Sequence, residues 1–182
     1  MRQLLSISEK YASLNNLGIV LSQRGKWDRA IEAYRKAIRI KPDQWSALYN
    51  LGSAFFNKKK FKDAVEAFDQ ALKHAPNNPE ILNMRGLALA EQKLYEDAVK
   101  DFRQALQQNP KFVEALNNLG TVYFRQHMFD DAIGAYKRAR DIAPENYQIH
   151  RHLGLALQEA GHEEEAKKEL DEAERLELVG VD

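Results

Sequence analysis

The side chains that could do chemistry recur along this chain at intervals instead of converging on one motif. Asparagines stand at Asn15, Asn16, Asn50, Asn83, Asn117 and Asn118, in columns about one 34-residue step apart. A side-chain amide donates to a carbonyl and accepts from an N–H at once, so stacked amides suit holding an extended polypeptide backbone. Each such bond is worth about 0.5–1.5 kcal/mol net, so several must act together. The titratable groups are arranged differently. With no cysteine there is no thiolate nucleophile, no disulfide framework and no cysteine zinc site. His150 and His152 lie two apart, so on a helix they diverge and form no metal pair. His127 lies near Asp130 and Asp131, which read more simply as the acidic start of a helix. No nucleophile–base constellation, phosphate loop or nucleotide fingerprint is present. The chain is therefore expected to be non-catalytic, with no metal or cofactor.

Charge is the second feature. The 182 residues hold 27 Lys+Arg and 27 Asp+Glu, a net charge of zero that conceals a gradient. Residues 1–78 carry 14 basic and 7 acidic side chains, and residues 79–182 carry 13 and 20. Lys58, Lys59, Lys60 and Lys62 form a basic run at a turn, where solvation is the simpler reading and an anionic surface the alternative. Arg24, Lys26, Arg29, Arg35, Lys36, Arg39 and Lys41 make the first repeat positive, but no aromatic-interleaved nucleic-acid pattern accompanies them, so no nucleic-acid partner is expected. Hydrophobic residues at 44% and charged residues at 30% fit a folded chain. Apolar runs are only a few residues long and Met1–Lys10 lacks a signal-peptide core, so the protein is expected in the cytoplasm.

The elements that must position the asparagines are legible as a repeat. Gly18, Gly52, Gly86, Gly120 and Gly154 fall 34 apart, as do Pro42, Pro76, Pro110 and Pro144. Ala30, Ala64, Ala98, Ala132 and Ala166 keep the same phase, and Tyr34, Phe68, Phe102 and Tyr136 form an aromatic column. Within one period two apolar stretches at helical spacing, about Trp45–Asn57 and Phe61–His74, flank a turn at Lys58–Lys60. Proline ends the second, since it cannot continue a helix interior. Glycine and alanine columns let two helix backbones approach closely, and the aromatic fills the remaining gap.

These columns resemble the tetratricopeptide repeat (TPR) family over residues 11–180, in five phased units: 11–44, 45–78, 79–112, 113–146 and 147–180. The resemblance implies an all-α, right-handed solenoid of antiparallel helix pairs, first helices lining a concave groove. Leu170 in the aromatic column, Leu178 in place of proline and the charged second helix mark the fifth repeat as a solvated cap. Residues 1–10 read as an N-terminal helical extension, either a remnant of a further repeat or an ordinary extension.

Family geometry places in the groove Asn15, Asn16 and Ile19; Tyr49, Asn50, Ser53 and Phe56; Asn83, Met84 and Leu87; Asn117, Asn118, Thr121, Phe124 and Arg125; and Arg151 and His152. These are the expected peptide- or partner-binding residues. A carboxylate-clamp receptor for chaperone tails does not fit, because Glu80 and Glu114 fall where that class needs lysine. Two readings follow. In one the chain is an interaction scaffold that also self-associates, its basic start against the acidic end of another copy, with Leu4, Leu5 and Ile7 adding an apolar contact. In the other it is a monomeric adaptor reading one extended peptide through the asparagine ladder. Within the family, His150–Arg151 and the stretch Gly161–Ala166 are similar to the magnetosome-associated bacterial scaffolds. That likeness implies self-assembly on the cytosolic face of an organelle membrane, with peripheral attachment through partner proteins.

Overall fold

Paired apolar columns at a 34-residue period demand paired helices, and the computed structural model, which describes residues 6–179, consists of them. The described residues form ten α-helices and no strand. The chain divides into two compact units, Met1–Leu94 and Tyr95–Asp182. The first holds α1 (Ile7–Gln23), α2 (Trp27–Ile40), α3 (Trp45–Asn57), α4 (Phe61–His74) and α5 (Pro79–Glu91). The second holds α6 (Tyr95–Gln108), α7 (Val113–Arg125), α8 (Phe129–Ile142), α9 (Tyr147–Glu159) and α10 (Glu163–Val179). The helices α3 and α4 cover the two stretches that the periodicity predicts.

In the first unit α1 packs on α2, α2 on α3, α3 on α4 and α4 on α5, while α1 touches α3 and α3 touches α5. The second unit repeats the order from α6 to α10, with α7 touching α9. The glycine column explains how close these approaches are. A Cβ on Gly52 would lie 2.6 Å from the Phe68 ring, one on Gly120 would lie 2.6 Å from the Tyr136 ring, and Gly18 faces Tyr34 in the same way. Each ring lies flat against bare first-helix backbone and is almost wholly buried, a burial worth about 1.5–3 kcal/mol per aromatic side chain. In the last pair Leu170 takes the ring's place against Gly154.

Local signals set the helix ends. Ser6 caps α1 through a reciprocal box with Glu9, so residues 7–10 form the opening turn of α1. The expected contacts of Leu4 and Leu5 lie outside the described residues, while Ile7 is exposed. Asn78 caps α5 by accepting from the Ile81 N–H, with Pro79 at the first helical position. The turns inside the pairs carry a further period. Gly25, Lys59, Lys93, His127 and Gly161, each 34 after the last, all adopt positive φ, between 58° and 83°. Three of the five pay for a left-handed turn without glycine, a strain of roughly 1 kcal/mol each.

Candidate functional site

The expected binding residues lie on first helices, and each unit holds its own set. In the first unit the amide of Asn50 donates from Nδ2 to Oδ1 of Asn15 at 3.1 Å. A turn earlier, the hydroxyls of Tyr11 and Ser46 meet at 2.9 Å. Both contacts join residues 35 apart, which shows that α1 and α3 run parallel with one residue of stagger beyond the 34-residue period. Asparagine position 5 of one repeat therefore faces position 6 of the next. The sequence shows the columns but not this stagger, which turns two separate ladders into cross-braces.

The bracing uses part of each amide. Asn50 keeps its Oδ1 and one N–H, and Asn15 keeps both N–H groups, so the pair retains donors and an acceptor for a backbone laid across it. Around it Ile19, Tyr49, Ser53, Phe56, Met84 and Leu87 are half-buried, Asn16 is exposed and Asn83 is buried. Ser53 donates back to the Tyr49 carbonyl at 3.0 Å, which ties that hydroxyl to its own helix. The Tyr49 ring leans on Phe68 at 5.9 Å, and burial raises its hydroxyl pKa. Phe56 packs edge-on against Phe61 at 5.4 Å.

The second unit repeats the brace with one substitution. His152 takes the position of an asparagine, and its Nδ1 lies 2.8 Å from Oδ1 of Asn117, again across 35 residues. An amide oxygen only accepts, so Nδ1 donates. Burial holds the His152 pKa below the ordinary 6.5, and the Arg151 charge adds to it. The ring is thus neutral at pH 7, with Nε2 left as an acceptor. It tilts over Tyr136 at 5.6 Å, whose burial pushes its pKa up to about 12. Thr121 reaches the Asn117 carbonyl at 2.9 Å and the Tyr136 hydroxyl at 3.0 Å. Phe124 pairs with Phe129 at 5.5 Å, Arg125 is exposed and Asn118 half-buried. Arg151 covers the Tyr147 ring and pairs with Glu177 at 2.5 Å.

His150, two residues away, points elsewhere. It is buried, with Nε2 donating to the Pro144 carbonyl at 2.8 Å and Nδ1 2.6 Å from Glu169. Glu169 also accepts from Arg140 at 2.6 Å, so one carboxylate clamps α10 to both α8 and α9. Sequence reasoning overlooked this cluster. Its signal was a carboxylate, Glu169, in a column that otherwise reads Ala33, Ala67, Asp101 and Ala135, where the acidic Asp101 is also buried. In the basic run Lys58 pairs with Asp28, whereas Lys59, Lys60 and Lys62 are exposed.

Antiparallel helix pairs, a fixed 34-residue period and first helices braced by polar side chains define a TPR solenoid. Tetratricopeptide repeat models match residues 15–79, 59–111 and 83–147, and another matches 123–177; the chain belongs to the tetratricopeptide repeat family. No curated protein sequence matches it. Among solved structures it is similar to MamA, at 26% identity with a TM-score of 0.82, covering 90% of this chain and 96% of that one. MamA residues 41 to the end from Desulfovibrio magneticus RS-1 give 24% identity and a TM-score of 0.86, with 96% and 98% covered. YrrB, a TPR protein with an unusual peptide-binding site, gives 23% and 0.72, with 90% and 84% covered. Among the described residues no helix is long and apolar enough to cross a membrane.

Proposed function

We propose that this chain is a non-catalytic protein-interaction scaffold that takes an extended partner segment across its first helices and assembles with copies of itself. The observation that carries the binding half is the pair of cross-helix braces, Asn15–Asn50 and Asn117–His152. Each is polar, fixed in place by its neighbour, and left with unused donors or acceptors beside half-buried apolar side chains. Preorganised amides reduce the ordering cost of binding, and a peptide backbone can match them without regard to its side chains. Ile19, Phe56, Leu87 and Phe124 then supply side-chain selectivity. Membership of the TPR family supports a role in binding proteins or peptides. The likeness to MamA supports a bacterial scaffold of the magnetosome-associated kind, cytoplasmic and peripheral to an organelle membrane through its partners.

The test is peptide binding measured by calorimetry, using ligands selected from a random library on the folded chain. Asn50→Ala and Asn118→Ala each weaken affinity roughly fivefold, the equivalent of one hydrogen bond of about 1 kcal/mol. Unchanged affinity in both variants contradicts the groove assignment. Light scattering across protein concentration separates the scaffold, which grows in mass, from a monomeric adaptor, which does not.

A further inference from the structure

We propose that copies of this chain join edge to edge, the basic turn edge of the first unit of one copy meeting the acidic turn edge of the second unit of the next. This rests on the self-assembling reading above and names the surfaces that perform it.

The helices α1 and α3 run parallel, as their 35-residue contacts show, and α5 repeats the arrangement one period on, touching α3, so the turns that follow them lie along one edge. The contact between Lys58 of one turn and Asp28 beside the previous turn shows these turns to be neighbours. In the second unit α8 and α10 are likewise parallel, with Lys137 on Glu165 and Arg140 on Glu169, and the turns that precede them share an edge. Residues 23–29, 57–63 and 91–94 on the first edge hold eight basic and three acidic side chains. Residues 95–97, 125–131 and 159–165 on the second edge hold one basic and eight acidic. Away from its edge the second unit has ten of each sign, so its whole excess of negative charge sits on these turns.

Much of that charge is uncommitted within the chain. The side chains of Arg24, Lys26, Arg29, Lys59 and Lys62 are exposed and make no hydrogen bond or ion pair, and the exposed Lys60 ammonium adds only a weak attraction to Asp28. The same holds for Asp130, Asp131, Glu159, Glu163 and Glu164. Complementary rows of this kind steer association and set register, and salt screens them beyond about 8 Å at physiological ionic strength. Because two different surfaces meet, the contact is heterologous and propagates or closes into a ring.

The faces of α1 and α10 are less well matched to each other. On α1, Leu17 and Val20 are 49% and 42% exposed, while Leu51 and Ala54 in the same columns of α3 are buried. That face is shaped for an apolar neighbour. At the matching positions α10 is charged, because Lys167 and Glu174 stand in the columns of Ile31 and Leu72, which are buried in earlier repeats; its exposed apolar side chains, Leu178 and Val179, lie only at its last turn. End-on stacking therefore sets apolar surface against charge.

The experiment uses the full chain and two reversed variants. One carries Lys59→Glu, Lys60→Glu and Lys62→Glu; the other carries Asp131→Lys, Glu163→Lys and Glu164→Lys. All six positions are on the surface, and circular dichroism verifies folding. The native chain is expected to form oligomers at low salt that dissociate at high salt. Each variant alone associates at least roughly tenfold more weakly, and an equimolar mixture of the two forms one-to-one pairs, joined through the unaltered acidic edge of the first variant and the unaltered basic edge of the second. Oligomers indifferent to both reversals overturn the edge assignment while leaving self-assembly intact. A native chain that stays monomeric at every concentration and salt overturns self-assembly and the edge assignment with it.

Discussion

The side-chain amides of Asn15 and Asn50 meet at 3.1 Å across 35 residues, one more than the repeat period. The extra residue is the stagger between neighbouring parallel first helices, and His152 on Asn117 keeps it in the second unit. The brace joins consecutive repeats, so its loss should register as lost stability. Asn15→Ala and Asn50→Ala are each expected to cost about 0.5–1.5 kcal/mol. The double variant should cost less than their sum, with a coupling of about 0.5 kcal/mol or more. Urea unfolding of the four proteins of the cycle measures it, and additivity would mean that the bond contributes nothing.

Two glycines separate packing from propensity. Gly120→Ala places a methyl against the Tyr136 ring, which is fully enclosed and cannot retreat. The expected loss is about 1–3 kcal/mol. Gly134, in the helix that follows, has nothing within 4 Å of where its Cβ would be. Gly134→Ala should therefore stabilise the protein by roughly 0.5–1 kcal/mol through helix propensity alone. Melting temperatures moving in opposite directions are the expected result.

His152 gives the fold a pH dependence of known sign. Its folded pKa lies below the ordinary 6.5, chiefly through burial and then through Arg151, so the unfolded chain binds its proton more readily. Stability then rises with pH through this range and is lost as pH falls below about 6.5. His152→Gln keeps a donor for Asn117 without a titrating ring, and should flatten the stability slope between pH 7.5 and 5.5. Side-chain NMR should place the His152 midpoint below 6.5; a midpoint above it reverses the sign.

The carboxylate of Glu169 holds the last helix through Arg140 and the buried ring of His150. Glu169→Ala strands a mostly buried imidazole and a guanidinium, at an expected cost of about 1–3 kcal/mol. Because the contact is local, hydrogen exchange should accelerate in α9 and α10 and remain unchanged in α1 to α4. Glu169→Gln, which keeps an acceptor, should fall between the two. Uniform acceleration along the chain would mean that the cluster stabilises more than the cap.

Most of this fold was legible from spacing, because TPR packing is written in small and aromatic residues at fixed columns. Gly52 and Phe68 lie 16 apart, announce a close helix pair, and form one. The left-handed turn at Lys59 was less visible, since lysine carries no signal for positive φ; only its alignment with Gly25 and Gly161 reveals it. The proposed binding face was visible as asparagine columns, yet the pairing of Asn15 with Asn50 was not, because it depends on a one-residue stagger between helices that no single helix encodes. The Glu169 cluster was hidden for a different reason: a glutamate in a charged helix resembles solvated surface until its neighbours are in place. Charge followed the same rule, a gradient along the sequence becoming two opposed edges only once the turns were aligned.

The central claim is that partners lie across the first helices, and amide-resolved NMR of the labelled full chain with a library-selected peptide tests it most directly. Shifts concentrated on α1, α3, α7 and α9, including the side-chain amides of Asn15, Asn50 and Asn117, are the predicted result. Shifts confined to the second helices α2, α4, α8 and α10 would contradict it.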